Sequence, residues 1–196
     1  MVERLPELVR DDELVIRLWK PDDVEMLHRA VLRNVEHLRP WMPWVALEPL
    51  TIEQRATLLE EWQDNWESGE GSPMAMLVGE EVVGGTGLTR RGDQPSLEIG
   101  YWVDVDHQGH GHATRAARLL TTAAFALGRV TTVEIHHDRA NVRSGRVPAR
   151  LGYQFMGEHP DEKVAPGEVG IDCTWRMTRQ EWHQAELPGE GGPKVA

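Results

Sequence analysis

Leu97-Glu98-Ile99-Gly100-Tyr101-Trp102-Val103-Asp104-Val105-Asp106-His107-Gln108-Gly109-His110-Gly111-His112-Ala113-Thr114 is the stretch whose reading decides the fold. Residues 97–103 read as a strand, and Gln108 to Thr114 reads as a glycine turn that opens a long alanine-rich helix. Gly109 and Gly111 let the backbone approach a ligand closely. The free amides of the first helical turn, together with the positive end of the helix dipole, attract an anion. Strand, glycine turn and helix start in that order point to a cradle for a pyrophosphate and hence to a phosphate-bearing cofactor. A glycine pair at a strand–helix junction also serves as a plain turn, so the segment alone leaves both readings open.

Two nucleotide-binding motifs fail on particular residues. A Walker loop needs Lys followed by Ser or Thr after its last glycine, and His112-Ala113 stands there. A dinucleotide fingerprint wants a third small residue three positions after Gly111, where Thr114 sits, and it belongs to a first βα unit rather than behind several strands.

Working outward, residues 13–18 read as an opening strand. Pro21-Asp22-Asp23 starts an amphipathic helix with Val24, Leu27, Val31 and Leu38 at roughly helical spacing, ending before Pro40. Arg39-Pro40-Trp41-Met42-Pro43-Trp44 is a stiff aromatic loop, because each proline fixes its own φ and discourages helix in the residue before it. A second helix follows from Thr51, its N-cap, to about Ser68, with Glu53-Gln54 near the capping-box position. Residues 74–78, 82–89 and 96–104 read as strands. The helix after the glycine turn shows Ala113, Ala116, Ala117, Leu120, Ala124 and Leu127 on one face and stops at Gly128. A β-branched strand covers residues 131–136, Asn141 caps a short helix to about Leu151, and strands follow at residues 153–157 and 169–177. Residues 1–12 read as an N-terminal extension, 13–183 as one domain and 184–196 as a disordered tail rich in Gly and Pro. Strands in meanders interrupted by helices imply a mixed α/β (α+β) sheet.

A chain of 196 residues suits one domain with a real core. The lone Cys173 forms no internal disulfide, no signal segment opens the chain and no apolar run is long enough to cross a bilayer, so a cytoplasmic protein without a membrane partner is expected. A net charge of −11 repels nucleic acid and suits a basic substrate, with a charge that only keeps the protein soluble as the alternative. The nine histidines include His107, His110, His112 and the adjacent pair His136 and His137, but no metal is expected: the first set sits on a loop without acidic or cysteine partners at ligand spacing, and adjacent strand residues point to opposite faces. Arg115, Arg118, Arg143, Arg146 and Arg150 are placed to offer a local basic rim for an anionic cofactor, with ordinary solvated arginines the alternative for most of them.

The glycine turn has a downstream companion, Asn141-Val142-Arg143-Ser144-Gly145-Arg146, placed directly after a strand. The pair of segments resembles the GNAT N-acetyltransferase superfamily. The loop Leu38 to Trp44, Glu98-Ile99-Gly100-Tyr101-Trp102 with His107-Gln108-Gly109, Asn141 to Ser144, and Asp172 through Trp182 look like its RimJ/RimL branch. The resemblance covers about residues 14–182. It implies a mostly antiparallel sheet splayed between two central parallel strands, those beginning at Ser96 and Thr131, so that the pantetheine arm of coenzyme A adds like a strand. It implies a cofactor site at Trp102, Val103, Gln108, Gly109, His110, Gly111, His112, Ala113, Thr114, Asn141 and Arg146.

Acyl transfer from a thioester to an amine needs a neutral amine, stabilisation of a developing oxyanion and a proton for the departing thiolate. Glu98 stands where several superfamily members carry a glutamate base, with Glu70 as the reserve carboxylate; a solvent-facing glutamate is the alternative for Glu98. Many members use a tyrosine as acid in the middle of the last helix, and that position here is Pro148. In the RimJ/RimL branch the serine matching Ser144 takes this part, although a serine in a first helical turn is also common without function. Trp41 and Trp44 are expected to wall the acceptor pocket, holding a small first side chain of a peptide, and a buried Trp-Pro cluster is the alternative. The expected function is transfer of an acetyl group from acetyl-CoA, or a larger acyl group from its acyl-CoA, to a primary amine, foremost a protein or peptide N-terminal α-amine. A small-molecule amine acceptor and a non-catalytic coenzyme A-binding module are the alternatives, with a homodimer among the allowed assemblies.

Overall fold

The computed structural model describes residues 4–90 and 95–186. Eight strands form one sheet in the order β1-β2-β3-β4-β5-β6-β8-β7: β1 Leu8–Arg10, β2 Leu14–Leu18, β3 Gly71–Val78, β4 Glu81–Arg90, β5 Ser96–Val103, β6 Thr132–Asp138, β7 Gln154–Pro160 and β8 Ile171–Thr178. Every neighbouring pair is antiparallel except β5 and β6, which run parallel as the resemblance implies. The helices are α1 Val24–Leu38, α2 Ile52–Ser68, α3 His112–Ala126, α4 Val142–Arg150 and α5 Arg179–Glu186.

Local chemistry sets the helix ends. At α2, Thr51 Oγ1 accepts from the Gln54 amide at 3.2 Å while the Gln54 side chain accepts from the Thr51 amide at 2.8 Å, the reciprocal box that its sequence promises. Gly69, with φ of 83°, ends it in the left-handed conformation. Beyond α3, Arg179 of α5 donates to the carbonyl oxygens of Phe125, Leu127 and Val130, so a cation caps carbonyls near the helix's negative end.

One face of the sheet carries the larger core, with Leu97, Ile99, Val133 and Ile135 packed against Ala116, Leu120 and Phe125 of α3 and joined by Trp182 of α5. The other face packs Ala75, Leu77 and Val82 against Leu27, Val31 and Leu59 of α1 and α2. Two elements lie outside the sequence reading. β1 falls in the stretch read as an extension and pairs with β2, Val9 opposite Ile16. α5 runs to Glu186, past the expected domain end at residue 183. The rest of the tail, residues 187–196, lies outside the described residues.

Candidate active site

The parallel pair is short. β5 and β6 are in register only at Ser96↔Thr132, Leu97↔Val133 and Glu98↔Glu134. Beyond Glu98, β5 stays paired with β4 out to Val103, and β6 stays paired with β8 to Asp138, so the two strands fork and their inner edges face a gap. Three cavities open at this fork, and Tyr101 and Met42 line all three.

The largest, about 1010 Å³, is a groove lined by the glycine turn, the end of β5 and the start of α4. Its turn is anchored from below by Asp104, whose side chain is fully buried. Asp104 accepts from Asn34 at 2.6 Å, Arg33 at 2.8 Å and the Asp106 amide at 3.0 Å, while the Asn34 side-chain oxygen accepts from the Val105 amide at 2.8 Å. Burial alone would raise this carboxyl's pKa; the donors outweigh it and hold it below the usual carboxylate range. Gly109 and Gly111 sit at φ of 81° and 80°, and a Cβ on either would meet nothing within 4 Å. Both the backbone conformation and the open space in front of it are therefore glycine's. His112 is buried with an unpartnered Nδ1, and burial first, then the Arg115, His110 and His107 charges, lower its pKa and keep it neutral.

Of the residues that the resemblance placed around a cofactor, Trp102, Val103, Gln108, Gly109, Gly111, His112, Ala113, Thr114, Asn141 and Arg146 line this groove. His110 does not; its ring stacks on His112 at 5.9 Å between centroids. Arg143, Arg146 and Arg150 form the basic rim, and Arg143 donates to the Gln108 side chain at 2.5 Å. Arg115 is a correction to that expectation: it is held by Asp11 at 2.6 Å and Glu13 at 3.0 Å, on the β1–β2 turn. Arg118 is exposed and lies off the groove.

Where groove and gap meet, Asn141 caps α4, its side chain accepting from the Ser144 amide at 3.3 Å. Ser144 Oγ donates to the Tyr101 hydroxyl at 3.2 Å, and that hydroxyl donates to the Ser144 carbonyl at 3.0 Å. The second bond has a cause in the sequence. Pro148, four residues on, has no N–H to give to the Ser144 carbonyl, so the helix cannot satisfy that oxygen and the phenol does. Burial raises the Tyr101 pKa far above its ordinary value, keeping the phenol protonated. The helix lacks the family's tyrosine at Pro148, yet a tyrosine hydroxyl arrives at α4 from β5.

The smallest cavity, about 260 Å³, is walled by acid groups: Asp138, Asp161, Glu162, Glu168 and Asp172 line it beside His136, Ser144 and Tyr101. Asp138 is engaged in structure, its carboxylate accepting from the amides of Ala140, Val169, Gly170 and Ile171. His136 Nδ1 lies 3.0 Å from Asp172 Oδ2 and its Nε2 lies 3.3 Å from Glu134 Oε2. The hydrogen bond with Asp172, aided by the charges of Asp172 and Glu98 and the contact with Glu134, raises the imidazole pKa despite burial. The Asp172 carboxyl is raised by burial but held low on balance by His136 and Thr174. Glu98 lies on β5 two residues before Gly100, at the crotch of the fork, and lines none of the three cavities. Glu70 is exposed in the loop before β3, away from them too. The sequence reading missed the His136–Asp172 pair, because only the β6–β8 register brings residues 36 apart into contact.

The third cavity, about 410 Å³, is largely apolar and lies between the sheet and α1–α2. Trp44 lines it, whereas Trp41 lines the groove and the acidic cavity, so the two indoles expected to share one pocket wall separate ones. The loop that carries them is held at its start, the Gly167 amide donating to the Pro40 carbonyl at 2.9 Å.

Residues 13–154 match the family model of the acetyltransferase (GNAT) domain. The chain belongs to this family and is an acetyltransferase. It is 26% identical over 174 residues to the protein named "Putative ribosomal N-acetyltransferase YdaF" of Bacillus subtilis (strain 168), covering 88% of this chain and 94% of that one. Its fold is similar to that of RimL, the ribosomal L7/L12 α-N-protein acetyltransferase solved with coenzyme A: TM-score 0.80 at 19% identity, over 91% of this chain and 99% of that one. The Mycobacterium smegmatis RimJ structure is also similar, with TM-score 0.75 at 21% identity over 96% and 90% of the two chains. Among the described residues no helix is long and apolar enough to cross a membrane.

Proposed function

We propose that the protein transfers the acetyl group of acetyl-CoA to the α-amine of a protein or peptide N-terminus in the cytoplasm. The observation that carries this reading is the meeting of the glycine-walled groove with the acidic cavity at the Tyr101–Ser144 hydroxyl pair. The family name supports acetyl transfer, the names of the relatives support a protein amine, and a net charge of −11 favours a basic chain behind that amine.

The groove fits coenzyme A. Gln108 to Thr114 would hold the pyrophosphate, Trp102, Val103 and Asn141 the pantetheine arm along the open edge of β5, and Arg146 an anionic group at the rim. Bound there, acetyl-CoA supplies the thioester whose C–S bond breaks as the N–C bond forms.

An α-amine arrives largely as a cation, and the carboxylates of the acidic cavity favour that form on entry. Its proton is then taken up by the cluster of His136, Asp172 and Glu134, whose two carboxylates hold both ring nitrogens and share the proton with the imidazole. Glu98, expected as the base itself, acts in this scheme through His136 by raising its basicity from the crotch of the fork. Ser144, backed by Tyr101, gives a proton or hydrogen bond to the departing thiolate. The deciding assay is free-thiol release from acetyl-CoA with peptides of free or blocked N-terminus beside a panel of small amines. Turnover on free peptides alone supports the reading, turnover on small amines alone replaces the acceptor class, and coenzyme A binding without turnover leaves a non-catalytic module.

A further inference from the structure

The apolar cavity is a built site next to the reaction centre. Gly87 of β4 stands directly opposite Gly100 of β5, so the cavity floor has no side chains there, and a Cβ on Gly100 would meet nothing within 4 Å. Two residues along, Gly85 lacks the Cβ that would come within 2.4 Å of the Trp102 indole, which lets that ring lie across β4. Trp19, Trp44, Trp62 and Trp102 supply much of the wall. At the back, Arg55 and Glu48 form an ion pair at 2.7 Å with 2% and 1% of their side chains exposed, yet Arg55 Nε has no hydrogen-bond partner.

Gly100, Tyr101 and Met42 line both this cavity and the acidic one, so whatever sits beside His136 has its neighbouring atoms directed toward the indoles. Resting on the peptide-acceptor reading above, we propose that this cavity receives the side chain of the acceptor's first residue and that this side chain is large and apolar: leucine, methionine or phenylalanine rather than alanine or serine. A volume of about 410 Å³ is in the range that encloses a small ligand, far more than a methyl or hydroxymethyl group fills. A small side chain would leave the indoles facing water, whereas a large one removes apolar surface from water on both partners. Methionine's flexible, unbranched stem suits an irregular apolar space of this kind.

The test is kcat/KM for acetylation of peptides identical but for a first residue of Ser, Ala, Leu, Met or Phe. The large apolar residues should exceed Ala and Ser by roughly 10- to 100-fold, the range that burial of such a side chain supplies. Gly100→Val, placed in open space, should remove that advantage while leaving calorimetric affinity for acetyl-CoA unchanged. Leu58→Trp on α2, which lines this cavity and neither of the others, gives the same selective loss if Gly100→Val fails to fold. Ala- or Ser-first peptides that match or exceed the large ones overturn the proposal alone. So does an equal loss on every peptide in both variants. Thiol release on a free amine with none on any peptide removes the peptide reading itself, and this assignment with it.

Discussion

Pro148 and Tyr101 should be energetically coupled although they lie on different elements. Tyr101→Phe removes only the hydroxyl, which donates to the Ser144 carbonyl at 3.0 Å. In the wild-type helix Pro148 has no N–H to take its place. A carbonyl left without a partner costs about 1–3 kcal/mol, and because Ser144 is only half-buried, the lower half of that range is the better expectation, about 1–2 kcal/mol. For a domain of this size that is a fall in Tm of roughly 2–8 °C. In a Pro148→Ala background the restored amide reaches the same carbonyl four residues back, and Tyr101→Phe should cost well under 1 kcal/mol. A double-mutant cycle by urea unfolding of the four proteins should therefore show a coupling of about 1 kcal/mol, above the few tenths that independent sites show. Turnover separates structure from chemistry. If the phenol backs Ser144 in proton transfer, Pro148→Ala rescues the stability of Tyr101→Phe but not its kcat. An equal stability loss in both backgrounds refutes the account of why this tyrosine points at α4.

Asp172→Asn should shift the acid limb of kcat/KM. The 3.0 Å hydrogen bond with the carboxylate is the largest influence holding the His136 pKa up, so removing the charge should move the limb to lower pH. Glu98→Gln, which acts by charge at greater range, should move it the same way by less; a limb unmoved in both removes His136 as the base. The sign for stability follows from the same shifts. The raised histidine stabilises the fold below about pH 6.5 and this is lost as pH rises through its folded pKa, while the lowered Asp172 stabilises above about pH 4 and this is lost as pH falls, so the pair contributes most between those values. Ser144→Ala should lower kcat by about 10- to 1,000-fold with acetyl-CoA affinity nearly intact, and wild-type turnover would take the hydroxyl out of the mechanism. Gly111→Val should strongly weaken acetyl-CoA binding in calorimetry, since it strains a φ of 80° and fills the space in front of the cradle; unchanged affinity in a folded variant discards the cradle.

What could be read from the sequence was what neighbours along the chain decide. The capping box at Thr51 and Gln54, the N-cap at Asn141 and the glycine turn before α3 are contacts within a few residues, and each residue type has one local use for its chemistry. β1 and α5 escaped for the opposite reason. Val9, the middle residue of β1, is only half-buried and the strand has three residues, while α5 is eight residues long and buries little beyond Trp182, so neither carries a usable period. The site divides along the same line. Ser144, Asn141 and the cradle were visible because they sit at helix starts, whereas the His136–Asp172 pair and the parting of Trp41 from Trp44 depend on sheet register and on a loop pinned by Gly167, which no local pattern encodes. Pro148 shows how the two kinds of information join. Read along the chain it is a missing tyrosine. In the fold it is what frees the Ser144 carbonyl to take the Tyr101 hydroxyl, so the residue that removes one phenol from the helix also helps to hold another beside the serine.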